Sequence, residues 1–345
     1  MSLVLTEDQQ LLKDSAKNFC QQNAPVSVLR KLRDENSERG YDEAVWQQMV
    51  ELGWPGMAVA EEHGGFEFGY AGLGVVLEES GRTLVNSPLI ASVLFGASLI
   101  SEAGSAEQKS ALLPKVVSGK LLLAVAIDEA PVHKPQHVNT KAKKDGDHYI
   151  LNGEKTFVLD GHVANKLIIV ARTEGDVEST AGVSLFLVDS DAQGLEVRRT
   201  LMVDNRNAAR LTLQQVKVPA ESLLGEEGTG FEALDRVLDI VRIGVAAEML
   251  GSAMEVFERI VDYLKQREQF GVQIGSFQAL QHRAAEMYSE LELCKSVVRA
   301  ALGALDDSSK STEDRARMAS LAKAKLCEVS ELISNEGIQM HGGIG

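Results

Sequence analysis

Tyr263-Leu264-Lys265-Gln266-Arg267-Glu268-Gln269-Phe270-Gly271, followed by Ile274-Gly275-Ser276-Phe277-Gln278 and Gln281-His282, is the stretch on which the reading of this chain turns. It separates two helical periods. Upstream, Phe231, Leu234, Val237, Leu238, Val241, Val245 and Met249 recur at the spacing of one helix face and predict a helix from about Thr229 to Arg267. At 1.5 Å per residue such a helix is roughly 55–60 Å long, enough to cross most of a bundle. Downstream, a second helix is expected over about Ser276–Ala304. The acidic, Ser-rich Asp306–Asp314 follows as a linker, with Ser311 and Asp314 placed to cap a third helix running to about Ile338.

Before Thr229 the period changes. From about Leu121 to Gly225 short apolar runs alternate with turn residues: Leu121–Ile127, His148–Leu151, Thr156–Leu159, Leu167–Ala171, Val183–Val188 and Arg210–Gln214. Asp145-Gly146 and Asn152-Gly153 read as turn dipeptides between strands. The first third is helical again: Thr6 with Gln9 forms a capping-box start, and Leu12, Ala16, Phe19 and Cys20 repeat at helical spacing. Further helices are expected over Asp42–Leu52, Leu73–Ser80, Ile90–Ala103 and Ala106–Val117, punctuated by Gly53-Trp54-Pro55-Gly56, Gly64-Gly65 and Ser87-Pro88. Helices, strands and helices again define an α+β protein of separate layers: a helical domain over 1–120, a β-domain over 121–226 and a helical bundle over 227–345.

Composition limits the partners. The 345 residues are 44% hydrophobic and 25% charged, which excludes long disorder, collagen and coiled-coil arrays. Fifty Asp and Glu against 35 Lys and Arg leave a net charge of −15, so nucleic acid and anionic membrane surfaces are poor partners for the molecule as a whole. Three scattered cysteines (Cys20, Cys294 and Cys327) offer neither a disulfide framework nor a zinc CxxC spacing. Met1–Asp8 has no secretory signal character, and no apolar run approaches the ~20 residues of a membrane span, so a soluble cytoplasmic protein is expected. The histidines form no ligand set and no Gly-x-Ser-x-Gly elbow occurs, so neither a metal site nor a serine hydrolase is expected.

The stretch from Tyr263 to His282 closely resembles the acyl-CoA dehydrogenase pattern of an Arg-x-x-Phe-Gly turn followed by Phe-Gln and Gln-His. Gln339-Met340-His341-Gly342-Gly343-Ile344-Gly345 resembles that family's later Gln-x-x-Gly-Gly step. Asp239-Ile240-Val241-Arg242, with Glu248-Met249-Leu250-Gly251 beyond it, is similar to its long helix. Asn152-Gly153-Glu154-Lys155-Thr156-Phe157-Val158 resembles the hairpin leading to its flavin-contacting strand. The resemblance covers essentially the whole chain in consistent order. It implies a helical domain, a β-domain and a four-helix bundle, with FAD held between β-domain and bundle and its adenine end touching a neighbouring subunit. It further implies a tetramer built as a dimer of dimers, an acyl-CoA thioester as substrate, and electron-transfer flavoprotein as electron acceptor.

The implied chemistry is α,β-desaturation, in which a base removes the α-proton while hydride leaves the β-carbon for flavin N5. By resemblance Arg267 reaches the FAD pyrophosphate, where a forked cation suits paired phosphate oxygens. Phe270, Gln278, Gln339, Gly342 and Gly343 belong to the same cofactor set, the two amides being able both to donate and to accept. Asp239 and Arg242, three residues apart on one helix face, are implied to meet the pantetheine and to orient the catalytic carboxylate respectively.

Three departures from the pattern stand out. The family's Thr-Glu-Pro-x-x-Gly-Ser-Asp loop is Ile127-Asp128-Glu129-Ala130-Pro131-Val132-His133-Lys134 here, with Asp128 where a neutral hydroxyl usually meets the flavin. The Trp-Ile-Thr strand reads Phe157-Val158-Leu159, which keeps an aromatic cover and loses the hydroxyl. The base is missing from both of its usual places. Val241 stands before Arg242, and the chain ends at Gly345 ahead of the other position, which reads as a truncated chain; Glu248 is the fallback. These departures also admit a second role, a non-catalytic or half-catalytic subunit paired with a related chain in a heterotetramer rather than a homotetramer.

Overall fold

The computed structural model describes residues 4–66 and 68–344; Gly345, the last residue of the Gln339 motif, lies outside them. The chain forms two compact units, one from Met1–Ser27, Phe68–Val85 and Arg242–Gly345, the other from Val28–Glu67 and Asn86–Val241. The N-terminal helical, middle β and C-terminal helical arrangement expected from the sequence is the one observed.

The second unit is organised by one sheet. Strands β1 (Leu123–Ala126), β2 (Lys141–Asp145), β3 (His148–Leu159), β4 (Lys166–Arg172), β5 (Val183–Asp189), β6 (Leu195–Leu201), β7 (Asn207–Pro219) and β8 (Leu223–Leu224) pair in the order β6-β7-β3-β2-β4-β5-β8, with β1 also on β4. Pairing is antiparallel except where β1 and β2 meet β4. Strand β4 is buried from Leu167 to Arg172, which explains its continuous apolar run where a half-exposed strand would alternate. Leu151, Ile169, Phe186, Leu211 and Val216 centre the core.

The structure corrects the reading of Asn152-Gly153. The residues form no turn; they lie inside the single strand β3, at a shift of register between Leu151 and Gly153. A Cβ on Gly153 would stand 2.5 Å from Thr140 Oγ1, so this glycine permits a close approach within the sheet, while Asn152 Oδ1 accepts from Gln215 N–H at 2.8 Å across the bulge. A turn closes the β2–β3 hairpin as expected, one residue later than the Asp145-Gly146 dipeptide: Asp145 pairs with His148, and Gly146 and Asp147 make the turn. Three strands of this sheet were not anticipated: β2, β6 and the two-residue β8. In β2 only Ala142 is buried, and β6 is a half-exposed edge, so neither carries a continuous apolar signal. Helix α2 (Val26–Asp34) was also not anticipated, although Val28, Leu29 and Leu32 recur at helical spacing; none of its residues is fully buried.

The same unit carries α3 (Glu43–Glu51), capped by Asp42 accepting from Ala44 and Val45 N–H, and α6 (Ala106–Val117), capped by a Ser105/Gln108 box. The helix expected over Ile90–Ala103 is a wide π-type coil over Leu89–Ala97 followed by α5 (Ser98–Ala103). All nine residues of the coil are buried, so no polar face was available to betray its period.

The first unit is helical. It contains α1 (Glu7–Asn23), α4 (Gly69–Arg82), most of α7 (Gly230–Gln266), α8 (Gln278–Asp306) and α9 (Thr312–His341), with a small hairpin of β9 (Glu268–Gln269) and β10 (Val272–Gln273) between α7 and α8. Thr6 and Ser311 both make the expected capping boxes. The linker is shorter than expected, because Asp306 is helical and its carboxylate caps α4 instead, accepting from Tyr70 and Ala71 N–H at 2.8 Å each. Helices α4 and α7 cross with their backbones in contact: a Cβ on Gly251 would fall 1.7 Å from the Glu78 carbonyl oxygen, and one on Gly81 would fall 2.0 Å from that of Glu248. Helix α7 shows no single apolar stripe. Asp239, Ile243, Ala246 and Ala247 are buried along with Leu234 and Leu238.

Candidate functional site

In the sheet-bearing unit, the end of β3 and the segment after β1 meet. Thr156 N–H donates to the Asp128 carbonyl at 2.7 Å, and Lys155 Nζ donates to the Ile127 carbonyl at 2.9 Å. A second register shift in β3 falls between Lys155 and Val158. There Phe157 adopts φ +53° and its ring stands 53% exposed, an aromatic held outward by a backbone conformation that L-residues rarely adopt. Five of the expected residues, Ile127, Asp128, Phe157, Val158 and Leu159, are thus brought onto neighbouring segments. Their side chains are not equivalent. Ile127 and Val158 are buried, whereas Phe157 presents a ring and Leu159 is half-buried.

Asp128 turns its carboxylate into its own loop. His133 Nδ1 lies 2.8 Å from Oδ2, and Lys134 N–H donates to Oδ1 at 3.2 Å. The next residue, Glu129, ion-pairs with Lys155 at 2.7 Å and also accepts from Asn139 N–H at 2.7 Å and Thr140 N–H at 2.9 Å. Burial pushes the Lys155 ammonium down to about 8, with Glu129 opposing the shift. Against the burial that would raise it, Lys155 holds the Glu129 carboxyl below its usual range. An open cavity of about 220 Å³ lies beside this loop, lined by Asp128, Glu129, Ala130, Val132, Lys134 and His137.

Sequence reasoning missed the roles of Lys155, Glu129 and His133. A signal for Lys155 was available: the period of two that buries Tyr149 and Leu151 lands on residue 155, and a lysine at an inward position requires a carboxylate nearby.

In the helical unit, the end of α7 and the end of α9 are tied together. The Tyr263 hydroxyl donates to the His341 carbonyl at 3.3 Å and the two rings stack at 4.3 Å. Arg267, Phe270, Gln278, Gln339, Gly342 and Gly343 are all exposed around this end of the bundle. Phe270, 89% exposed, meets Phe277 edge-on at 6.1 Å. The Arg267 carbonyl accepts from Ile274 N–H at 2.9 Å, which closes the hairpin that presents Phe270 and Gly271. A guanidinium, two amides and an exposed aromatic suit a pyrophosphate joined to an adenosine. Along α7, Asp239 is buried and Arg242 half-buried. Glu248 lies six residues from Arg242, a rotation of about 600°, which places the two side chains on different faces.

Comparison with known proteins identifies the family. The acyl-CoA dehydrogenase N-terminal domain matches residues 6–120, the middle domain residues 133–216 and the C-terminal domain residues 228–345. The chain belongs to the acyl-CoA dehydrogenase family. It is 30% identical to the probable acyl-CoA dehydrogenase YngJ of Bacillus subtilis, over 100% of this chain and 90% of that one. It is 28% identical to CarC, a subunit of the caffeyl-CoA reductase-Etf complex of Acetobacterium woodii, over 99% and 90%. Among solved structures, the Tcur3481-Tcur3483 steroid ACAD superposes with a TM-score of 0.86 at 34% identity, covering 98% of this chain and 88% of that one. Among the described residues, no helix is long and apolar enough to cross a membrane.

Proposed function

We propose that the chain is a FAD-dependent acyl-CoA dehydrogenase acting between the α and β carbons of an acyl-CoA thioester. The observation that carries this reading is Phe157, an exposed ring held at φ +53° on a bulged strand beside the Ile127–Asp128 segment. Backbone strain of this kind costs of order 1–3 kcal/mol and collects at ligand-contacting positions. When bound, the flavin supplies the hydride acceptor. The chain's own residues would do the rest: Phe157 covers the ring, the Leu159 backbone offers an N–H, and Arg267, Phe270, Gln278, Gln339, Gly342 and Gly343 hold the pyrophosphate and adenosine of a FAD bound to a neighbouring copy. Asp239 meets the pantetheine, and Arg242 orients the base. The base itself is unassigned, since Glu248 is turned away from Arg242 by the helix geometry.

Family membership supports either direction of the reaction, because the matched relatives include a dehydrogenase and a subunit of a reductase complex. The latter, named with Etf, supports electron-transfer flavoprotein as redox partner. A second reading, a half-catalytic subunit that completes its site with a related chain, is favoured by Val241 in front of Arg242 and by Leu159 where the family's strand carries a hydroxyl. Anaerobic addition of a panel of acyl-CoA esters to the purified, FAD-loaded chain separates the two. Bleaching of the visible flavin band supports the first reading, and a flavin that stays oxidised until a related subunit is added overturns it in favour of the second.

A further inference from the structure

We infer that Lys155 is a positioning residue, which with Glu129 as counter-ion clamps the Ile127–Thr140 segment to β3 at the residue where that strand bulges to present Phe157. The inference rests on the flavin reading of this surface and deepens it. The Lys155 side chain is fully buried and that of Glu129 is 8% exposed, so both charges have left water. An ordinary apolar residue would satisfy packing there at least as well as a buried ion pair, so the pair is explained by the geometry it imposes.

That geometry is specific. One ammonium donates to the Ile127 carbonyl and the Glu129 carboxylate, and the same carboxylate accepts from Asn139 and Thr140 N–H. A single ion pair therefore closes the neck of the loop between Glu129 and Asn139, which carries His133, Lys134 and His137. The adjacent Thr156 N–H to Asp128 carbonyl bond joins the loop to the residue before Phe157. Without the ammonium, the loop neck and the bulge lose the link that sets their spacing, while the apolar core of the sheet is untouched.

The charged groups facing the pair are few. Asp128 lies on the same segment and acts on Lys155, His133 sits against Asp128, and Arg172 of β4 is acted on by Glu129. Arg172 itself is spent on backbone carbonyls, those of Val138, Val177, Ser179 and Ala181 among them, and does not replace Lys155 as the partner of Glu129.

The test uses Lys155→Met, which fills the space without a charge, and Glu129→Gln. Hydrogen-exchange protection factors across residues 127–140 and at 156–158 are measured on the FAD-free chain, together with FAD affinity and melting temperature. The expected result for Lys155→Met is a fall in protection markedly larger in those segments than in β4 and β5, and FAD binding weaker by roughly tenfold or more, the scale of a lost charge-assisted hydrogen bond. Unchanged protection and FAD affinity, or a loss spread uniformly over the sheet, would overturn the inference. If Lys155→Met does not fold, the wild-type chain decides: protection in the loop should fall as pH rises through about 8, and a flat profile there contradicts the clamp. A wild-type chain that binds no FAD yet shows this exchange behaviour would sink the flavin reading and leave the clamp standing.

Discussion

At the scale of single residues, the environment decides what a side chain can do more than its type does. Asp160 follows the Phe157–Leu159 strand end at φ +53°, and burial pushes its carboxyl up to about 6, with Arg206 only partly opposing. The fold therefore binds the proton more tightly than the unfolded chain does. The contribution of Asp160 to stability falls as pH rises from about 4 to 6 and stays unfavourable above that. Asn tolerates the same left-handed backbone, so Asp160→Asn should stabilise the chain at neutral pH by about 1–2 kcal/mol, with the gain vanishing below about pH 4. Melting curves of both proteins across this range check it. An equal shift at every pH would show that the carboxyl is not the cause.

The cysteines give a second residue-scale expectation. Burial raises Cys20 to about 12 and Cys294 to about 11, whereas Cys327 is exposed on α9 with Lys323 Nζ 2.9 Å from its sulfur. Alkylation of the native protein should add one adduct, at Cys327. Peptide mapping that finds Cys20 or Cys294 modified at a similar rate would contradict this packing. The Cys20 position was legible, since it shares the apolar repeat of Ala16 and Phe19, whereas nothing in the sequence separated buried Cys294 from exposed Cys327.

At the scale of elements, the helical unit is held by a buried ionic cluster that periodicity could not reveal. Arg82 of α4 is 8% exposed and donates to both oxygens of Glu258 at 2.9 Å, with Glu255 and Glu79 also within ion-pair distance. Lys13 of α1 pairs with Glu78 and Glu79. Arg82→Ala removes one of the two cations beside the buried Glu79, Lys13 being the other, together with the bonds to the more exposed Glu258, and should cost about 1–3 kcal/mol in denaturant unfolding. A loss under 1 kcal/mol would place the cluster in the class of surface pairs. Gly251→Ala should destabilise by about 1–3 kcal/mol, since its new methyl would overlap the Glu78 carbonyl oxygen.

What was legible at this scale follows from where the signal lay. The Thr6 and Ser311 boxes each begin a helix, because a cap is a local device written in four residues. The bulge that β7 makes opposite Asn152-Gly153 was not legible, because it is determined by packing against distant residues such as Thr140 and Gln215.

At the scale of the molecule, the family was legible because its marks are spread along the chain in order, from Asn152 to Gln339. The matched domains bear that out. The site is legible only in part. Phe157 and Asp128 lie on neighbouring segments, joined by the Thr156 N–H to Asp128 carbonyl bond, and the Asp128 partnership with His133 and the Lys155–Glu129 pair come from a loop that departs from the family pattern. Arg267→Ala should lower both FAD retention and the stability of the assembly. Flavin content unchanged on gel filtration would remove Arg267 from the cofactor's grip. Arg242→Ala should slow bleaching by an acyl-CoA while FAD stays bound.

The most direct measurement is a titration of the purified chain with FAD, followed by visible circular dichroism and gel filtration. A saturable signal at one FAD per chain, lost in Phe157→Ala and in Arg267→Ala, is the expected result. A chain that stays colourless at saturating FAD, alone and with a related subunit present, would contradict the assignment of these two surfaces to a flavin.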